Sequence, residues 1–333
     1  MAPLEILIFG LGGIGAVYAL ILSQPELKDV CRVHVVARSN LEHIQDQGLD
    51  YESIKFGTVK GLKFAGAYRT PEEAHTAVPK FDYVICCNKA QLSATPSLEE
   101  IIQPAVTPDH TAVMIVQNGV GAESPLKKAF PTNPILTAVT WIGASQPSAG
   151  LINHNNLPSP CMQFGPFYGD NGEDIGELES AKILQDALEA VDGIGAEVVV
   201  DMQTERWKKV IWNAAWNSTT ALVQYNTAKF MAATPYSEDL CRNLMKEVVA
   251  VAQALGHKVP DSEVDVLMNR CKAHKEGLNS SMMADVANGS QTEVEVILGT
   301  PLREAKRLGM SVPILETLYC CVKAVDLRNA DRK

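Results

Sequence analysis

Lys209, Asn213 and Asn217 set a cation and two amides four residues apart within the apolar run Val210-Ile211-Trp212 and Ala214-Ala215-Trp216. At about 100° per residue, the three positions share one face of a helix. Burying such groups without partners is costly, so this face is wet, paired or built to hold a polar ligand. A ligand site is the leading reading, and a solvent-facing stripe on an amphipathic helix is the alternative. Tryptophans on both sides weigh against the alternative, because the exposed face of a surface helix seldom sits between two such large apolar flanks.

A second constellation lies at the start of the chain. The apolar strand Leu4-Glu5-Ile6-Leu7-Ile8-Phe9 runs into Gly10-Leu11-Gly12-Gly13-Ile14-Gly15 and then into the helix-like Ala16-Val17-Tyr18-Ala19-Leu20. This G-x-G-x-x-G stands after a strand and opens a helix, where a dinucleotide pyrophosphate is held. Gly10 allows the tight turn, Gly12 lets backbone amides approach the phosphates, and Gly15 permits close packing of helix on strand. A second strand, Cys31 to Ala37, ends at Arg38 and Ser39 with no acid for ribose hydroxyls. Arg38 can instead pair a 2'-phosphate, which favours NADP over NAD; the alternative is a solvated loop arginine.

Two later strands, Phe81 to Cys87 and Ala112 to Val116, run into Asn88-Lys89 and Gln117-Asn118-Gly119. Ligands of open parallel sheets lie outside the carboxyl ends of the strands, so Lys89 and Asn118 are expected at the crevice of the glycine loop. Either residue could equally serve a turn. Strand-like segments at 135–141, 161–164 and 196–201 and a helix at 175–191 complete an α/β domain, placed at residues 1–201.

From Thr204 onward the pattern is helical, which places an all-helical domain at residues 202–333. Helices are expected over 205–223, 238–255, 262–273, 282–287, 292–308 and 314–327. Gly256 and Gly309 sit where helices should stop, with Pro260 and Pro313 beyond them. Ser280 or Ser281 suits an N-cap before Met282-Met283. Ser290-Gln291-Thr292-Glu293 fits a capping box in which Glu293 reaches back to the Ser290 amide, so a structural role for Glu293 stands beside any functional one.

The bulk composition narrows the partners. With 333 residues, 46% hydrophobic and 20% charged, the chain reads as a soluble protein of about two domains. A net charge of -10 and the lack of a basic stripe argue against nucleic acid or an anionic membrane. No apolar stretch reaches the roughly 18 residues of a membrane helix. The N-terminus enters a strand too early for a signal or transit peptide, and Asp331-Arg332-Lys333 carries no peroxisomal or prenylation signal. A cytoplasmic location is therefore expected. The eight cysteines include no C-x-x-C and no zinc-site spacing, and most read as reduced core thiols; no metal is expected.

In their order, these motifs resemble the ketopantoate reductase family (2-dehydropantoate 2-reductases) over nearly the whole chain. The resemblance rests on the N-terminal G-x-G-x-x-G, Arg38 after the second strand, Lys89 after the fourth, and Asn118-Gly119 after the fifth. It continues through K-x-x-x-N-x-x-x-N at 209–217, Ser280-Ser281-Met282 and Thr292-Glu293. It implies a Rossmann-type dinucleotide-binding domain followed by an all-α domain like the C-terminal part of 6-phosphogluconate dehydrogenase. The implied reaction is NADPH-dependent reduction of 2-dehydropantoate to pantoate, on the way to pantothenate and coenzyme A.

By that resemblance, Lys209 is the general acid that protonates the ketone oxygen, and Asn213 and Asn217 orient substrate hydroxyl and carbonyl groups. Ser281 binds the carboxylate, and Glu293 holds the far hydroxyl or orients Lys209. Lys89 and Asn118 stand beside nicotinamide and substrate. After Asn217 the family often has proline and an aliphatic residue, where this chain has Ser218-Thr219; Trp212 and Trp216 are also bulky. These departures leave open a bulkier 2-oxo acid, as for relatives of D-mandelate dehydrogenase. A non-catalytic nucleotide sensor is a further alternative, against which the proton donor Lys209 speaks. The helical domain offers a homodimer surface without demanding one.

Overall fold

The structure, a computed structural model, describes residues 2–169 and 172–331, so Arg332 and Lys333 of the C-terminal tripeptide lie outside the described residues. The chain forms two compact units. One comprises Met1–Lys89, Ser93–Gln117 and Ala122–Met202; the other comprises Ala90–Leu92, Asn118–Gly121 and Gln203–Lys333.

The first unit opens with β1 (Leu4–Phe9), α1 (Gly13–Leu22), β2 (Cys31–Val36), α2 (Leu41–Gln47), β3 (Leu49–Ser53), β4 (Gly57–Leu62), β5 (Gly66–Tyr68) and α3 (Pro71–Ala77). It continues with β6 (Tyr83–Cys86), α4 (Leu98–Ile102), β7 (Ala112–Ile115), α5 (Glu123–Ala129), β8 (Ile135–Thr140), β9 (Gly143–Ser148), β10 (Leu151–Asn156), β11 (Met162–Pro166), α6 (Glu177–Glu189) and β12 (Ala196–Val198).

Eight strands form one sheet in the order β12-β11-β8-β7-β6-β1-β2-β5, parallel throughout except where β11 meets β8. Both faces are covered, which is why its strands are apolar in nearly every position. Ile6, Ile8, Val33 and Val35 pack on one side, and Leu7 and Val36 on the other. The direction of winding reverses between β1 and β6, so the carboxyl ends of those strands form the switch point at which doubly wound sheets bind ligands.

A second sheet, β4-β3-β10-β9, has no counterpart in the sequence reading. Its β3 and β10 pair in parallel, Leu151 opposite Asp50, across about a hundred residues of chain. Its strands are short and half polar, so periodicity does not announce them. The expected strand at 196–201 is also shorter, ending at Val198.

The second unit is helical: α7 (Met202–Val223), α8 (Thr227–Ala233), α9 (Ser237–Ala254), α10 (Glu263–Ala273), α11 (Ser281–Ala287), a π-turn at Glu295–Gly299, α12 (Thr300–Arg307) and α13 (Pro313–Ala330). The expected glycine stops are present. Gly256 has φ +90, with the amides of Gly256 and His257 bonded to the carbonyls of Gln253 and Ala252; Gly309 has φ +69 and repeats the pattern with Lys306 and Ala305. Both are Schellman ends. Two features depart from expectation: α8 was not read from the sequence, and the helix expected over 292–308 begins later and carries the π-turn.

No helix among the described residues is long and apolar enough to cross a membrane. The cysteines are free; Cys31, Cys86, Cys161, Cys241 and Cys271 are buried, whereas Cys320 and Cys321 are exposed on α13.

Candidate active site

In the first unit the glycine loop is shaped by close backbone approach. Gly10 has φ +96, and a Cβ there would lie 2.5 Å from the amide nitrogen of Asn88. A Cβ at Gly15 would overlap the carbonyl of Gly10, and one at Gly13 would lie 2.9 Å from the carbonyl of Ala144 in β9. Gly12 is different, because a Cβ there meets no protein atom within 4 Å. Protein packing therefore gives no reason for glycine at this position, while close approach of a ligand to the backbone does.

Gly12 is also the N-cap of α1, with no side-chain cap and no acid in the first turn. The uncapped amides and the positive end of the helix suit a pyrophosphate. Arg38 stands exposed two residues beyond β2 and makes no ion pair among the described residues, so its guanidinium is available to a phosphate. Lys89 is exposed beyond β6. Between the ends of β6 and β7, the Gln117 amide donates to Asn88 Oδ1 at 2.9 Å. The sequence reading gave neither residue a role; their positions at the ends of neighbouring parallel strands were the available signal.

In the second unit, α7 carries Lys209, Asn213 and Asn217. Asn213 and Asn217 are 6% and 4% exposed, which rules out the solvent-facing stripe for the two amides. The Asn213 Nδ2 has no hydrogen-bond partner among the described residues. A ligand acceptor would satisfy this buried donor. Lys209 is partly buried. Burial, together with the guanidinium of Arg206, pushes its ammonium down to about 7; the Glu293 carboxylate opposes that shift, and Arg270 adds to it.

Glu293 is 7% exposed and does not form the capping box. The Ser290 amide donates instead to Asp285 O at 2.8 Å. Glu293 Oε1 accepts from the Ala90 amide at 3.1 Å, and Oε2 accepts from Asn118 Nδ2 at 2.8 Å. The capping reading fails because the first helical residue is Val294, which places Glu293 outside the turn it was expected to cap. Asn118 thus belongs with Glu293 in this unit. Gly119 follows at φ +85, where a Cβ would overlap Val296, so the Asn-Gly pair marks a close backbone approach as well as a turn.

Of the two serines, Ser280 is the N-cap of α11, accepting from the Met283 amide at 3.0 Å and sharing a 2.6 Å contact with Thr220 Oγ1. Ser281 is the first residue of that helix and is exposed, and its hydroxyl makes no hydrogen bond among the described residues. Ser218 and Thr219, which depart from the family pattern, donate to the carbonyls of Ala214 and Ala215 at 2.5 and 2.7 Å. Bonding back one turn lets these hydroxyls be buried without a ligand. Trp216 is 1% exposed and belongs to the core, whereas Trp212 is half-buried with the Arg270 guanidinium 5.6 Å from its ring centre.

Arg206 and Arg270 were not found from the sequence. Arg206 is 2% exposed and donates to Gly119 O at 2.6 Å. It lies three residues before Lys209, on the same side of α7. Arg270 carried no sequence signal, because only the packing of α10 brings it to Trp212.

The pattern of ketopantoate reductase PanE/ApbA matches residues 6–168, and that of the ketopantoate reductase PanE/ApbA C terminal matches residues 201–326. A 2-dehydropantoate 2-reductase of Nostoc sp. is 29% identical over 322 residues, 97% of this chain and 95% of that protein. The crystal structure of 2-dehydropantoate 2-reductase from Methylococcus capsulatus superposes with a TM-score of 0.83 at 30% identity, covering 98% of each chain. D-mandelate dehydrogenase, solved with NADH and anilino(oxo)acetate, has the same fold, with a TM-score of 0.80 at 21% identity over 98% of this chain and 100% of that one. With both halves matched in order and a relative at this identity along the whole length, the chain belongs to the ketopantoate reductase family of oxidoreductases.

Proposed function

We propose that this protein reduces a 2-oxo acid to the 2-hydroxy acid with NADPH, and that the acid is 2-dehydropantoate, giving pantoate for pantothenate and coenzyme A synthesis in the cytoplasm. The observation that carries this reading is the polar face of α7. A lysine pushed down to about 7 stands on the same helix as a buried amide whose donor has no partner among the described residues. Such a face suits a ketone oxygen that becomes an alkoxide and then an alcohol.

When bound, the nicotinamide supplies a hydride to the carbonyl carbon. Gly10 to Gly15 and the start of α1 hold the pyrophosphate, and Arg38 pairs the 2'-phosphate. Lys89 and Asn118 would serve the nicotinamide and the substrate. Lys209 gives its ammonium proton to the ketone oxygen as carbon 2 is reduced, so the charge developing on that oxygen is neutralised within the step. Asn213 donates from its unpartnered Nδ2, Asn217 orients a neighbouring oxygen, Ser281 binds the carboxylate, and Glu293 takes the far hydroxyl. Because Asn118 and the Ala90 amide already hold Glu293, its carboxylate is oriented before substrate arrives.

A second reading rests on Trp212, whose half-buried ring under Arg270 suits an aromatic or otherwise bulkier 2-oxo acid. The deciding experiment is steady-state NADPH oxidation with 2-dehydropantoate beside 2-oxoisovalerate and benzoylformate, repeated with NADH. Preference for 2-dehydropantoate with NADPH is expected. Turnover of benzoylformate alone would move the chain to the second reading, and silence on all three acids despite tight NADPH binding would leave a sensor.

A further inference from the structure

One face of α13 grips the segment that carries Glu293. Tyr319, Lys323, Asp326 and Asn329 recur at intervals of four, three and three residues, which keeps them on one side of the helix. Each bonds to the segment 290–295. Tyr319 Oη and Lys323 Nζ reach Glu295 Oε1 at 3.1 and 3.0 Å. Asp326 Oδ1 accepts from both the amide and the hydroxyl of Thr292, at 2.6 and 3.0 Å. Asn329 Nδ2 donates to Ser290 O at 3.2 Å.

Asp326 and Asn329 are 7% and 1% exposed, so these bonds lie out of competition with water. The amide held by Asp326 is that of the residue immediately before Glu293. Beyond Glu293 the chain enters the π-turn, where Glu295 is braced by Arg303 at 2.7 Å as well as by α13. The lack of a side chain at Gly299 allows this, because a Cβ there would lie 2.6 Å from Glu295 Oε2. A π-turn is an uncommon helical form that recurs at functional sites, and here its first residue is fixed from outside the helix.

We propose that Asp326 is a positioning residue for Glu293: by clamping Thr292 it sets the direction of the Glu293 carboxylate, with Tyr319, Lys323 and Asn329 completing the rail. The proposal rests on Glu293 contacting the terminal hydroxyl of the substrate, as in the function proposed above. A site built around a substrate hydroxyl rejects an analogue lacking it, and that discrimination depends on the direction of the accepting group.

The test compares kcat/KM for 2-dehydropantoate with kcat/KM for 3,3-dimethyl-2-oxobutanoate, the same acid without the hydroxyl, with NADPH affinity measured alongside. Asp326→Ala is expected to lower this ratio about 10-fold or more, as loss of a charge-assisted hydrogen bond does. NADPH affinity should stay unchanged. Asp326→Asn, which keeps the accepting oxygen, is expected to restore most of the ratio. Glu293→Gln should lower it similarly, and the double variant should fall no further, because the two residues act through one contact. Thr292→Val, which removes only the hydroxyl bond, carries the same test if Asp326→Ala does not fold.

If Glu293→Gln lowers the ratio while the Asp326 and Thr292 variants leave it at the wild-type value, or if the losses simply add, the clamp is overturned and the role of Glu293 stands. If Glu293→Gln leaves the ratio unchanged, or the unaltered chain turns over neither acid, the reading of the site fails and the clamp fails with it.

Discussion

On the function proposed above, the glycine loop of the first unit and the polar face of α7 in the second would meet a ligand in opposite ways. The loop would work by omission: its recognition groups would be backbone amides, left open by the absence of side chains. Gly10, Gly13 and Gly15 are required by the protein's own packing, and Gly12 alone faces open space. The α7 face works by commission. It buries amides and a lysine at a cost in stability that a purely structural helix would avoid by using leucine. Backbone recognition would leave few marks on the protein, whereas side-chain recognition would leave more: an Nδ2 on Asn213 with no partner among the described residues, and a Lys209 ammonium that burial and Arg206 push down to about 7.

Lys209→Ala separates the two modes of recognition most clearly. Turnover is expected to fall by roughly 10²- to 10⁴-fold, the usual loss for a general acid, while NADPH affinity measured by fluorescence titration stays the same. A large loss of NADPH affinity would show that the two recognition modes are not separable. Arg38→Ala is expected to act in reverse, raising KM for NADPH by roughly 10- to 100-fold and leaving NADH kinetics untouched, since only a 2'-phosphate would lose its charge-assisted bonds. An equal effect on both cofactors would return Arg38 to a solvated loop.

Gly12→Ala sharpens the account of the loop. With nothing near the new methyl group, thermal unfolding should move little, yet NADPH binding should weaken by about 10-fold or more, because the methyl intrudes where the pyrophosphate approaches the backbone. Gly15→Ala, by contrast, overlaps Gly10 O and should lower the unfolding midpoint as well.

The smallest effect is expected in the pH profile. If Lys209 is the proton donor, the reaction requires its ammonium form, and the reduction rate should be level below about pH 7 and fall above it. Arg270 is a like charge that disfavours the ammonium, so Arg270→Gln removes repulsion and should move this limb to higher pH. An unmoved limb in Arg270→Gln, or a rate that rises through pH 7, would detach the titration from Lys209.

Part of the local order was legible, where it rests on short-range chemistry, whereas α2 to α5 and α8 went unread. The glycine loop after β1, the four-residue spacing on α7 and the glycine stops at Gly256 and Gly309 each depend on neighbours within a turn or two. So does the capping box expected at Ser290, and there the local rule failed. Ser290 and Glu293 have the right spacing, but Asp326, more than thirty residues later, takes the Thr292 amide and Glu293 turns to Ala90 and Asn118. Local capping contributes about 1 kcal/mol, and a buried carboxylate with two tertiary donors outweighs it.

Local sequence places particular residues on particular elements: a glycine-rich turn after β1, an arginine beyond the end of β2, and a helix face of lysine and two amides. These follow from backbone sterics and helical period, which act within a few residues. What those residues meet depends on packing. The β3–β10 pairing, the Arg270 contact with Trp212, the Arg206 contact with Gly119 and the grip of α13 on the Glu293 segment all join residues tens to a hundred positions apart. No local propensity encodes such pairs, because their energy comes from burial and hydrogen bonding that exist only once the chain has packed.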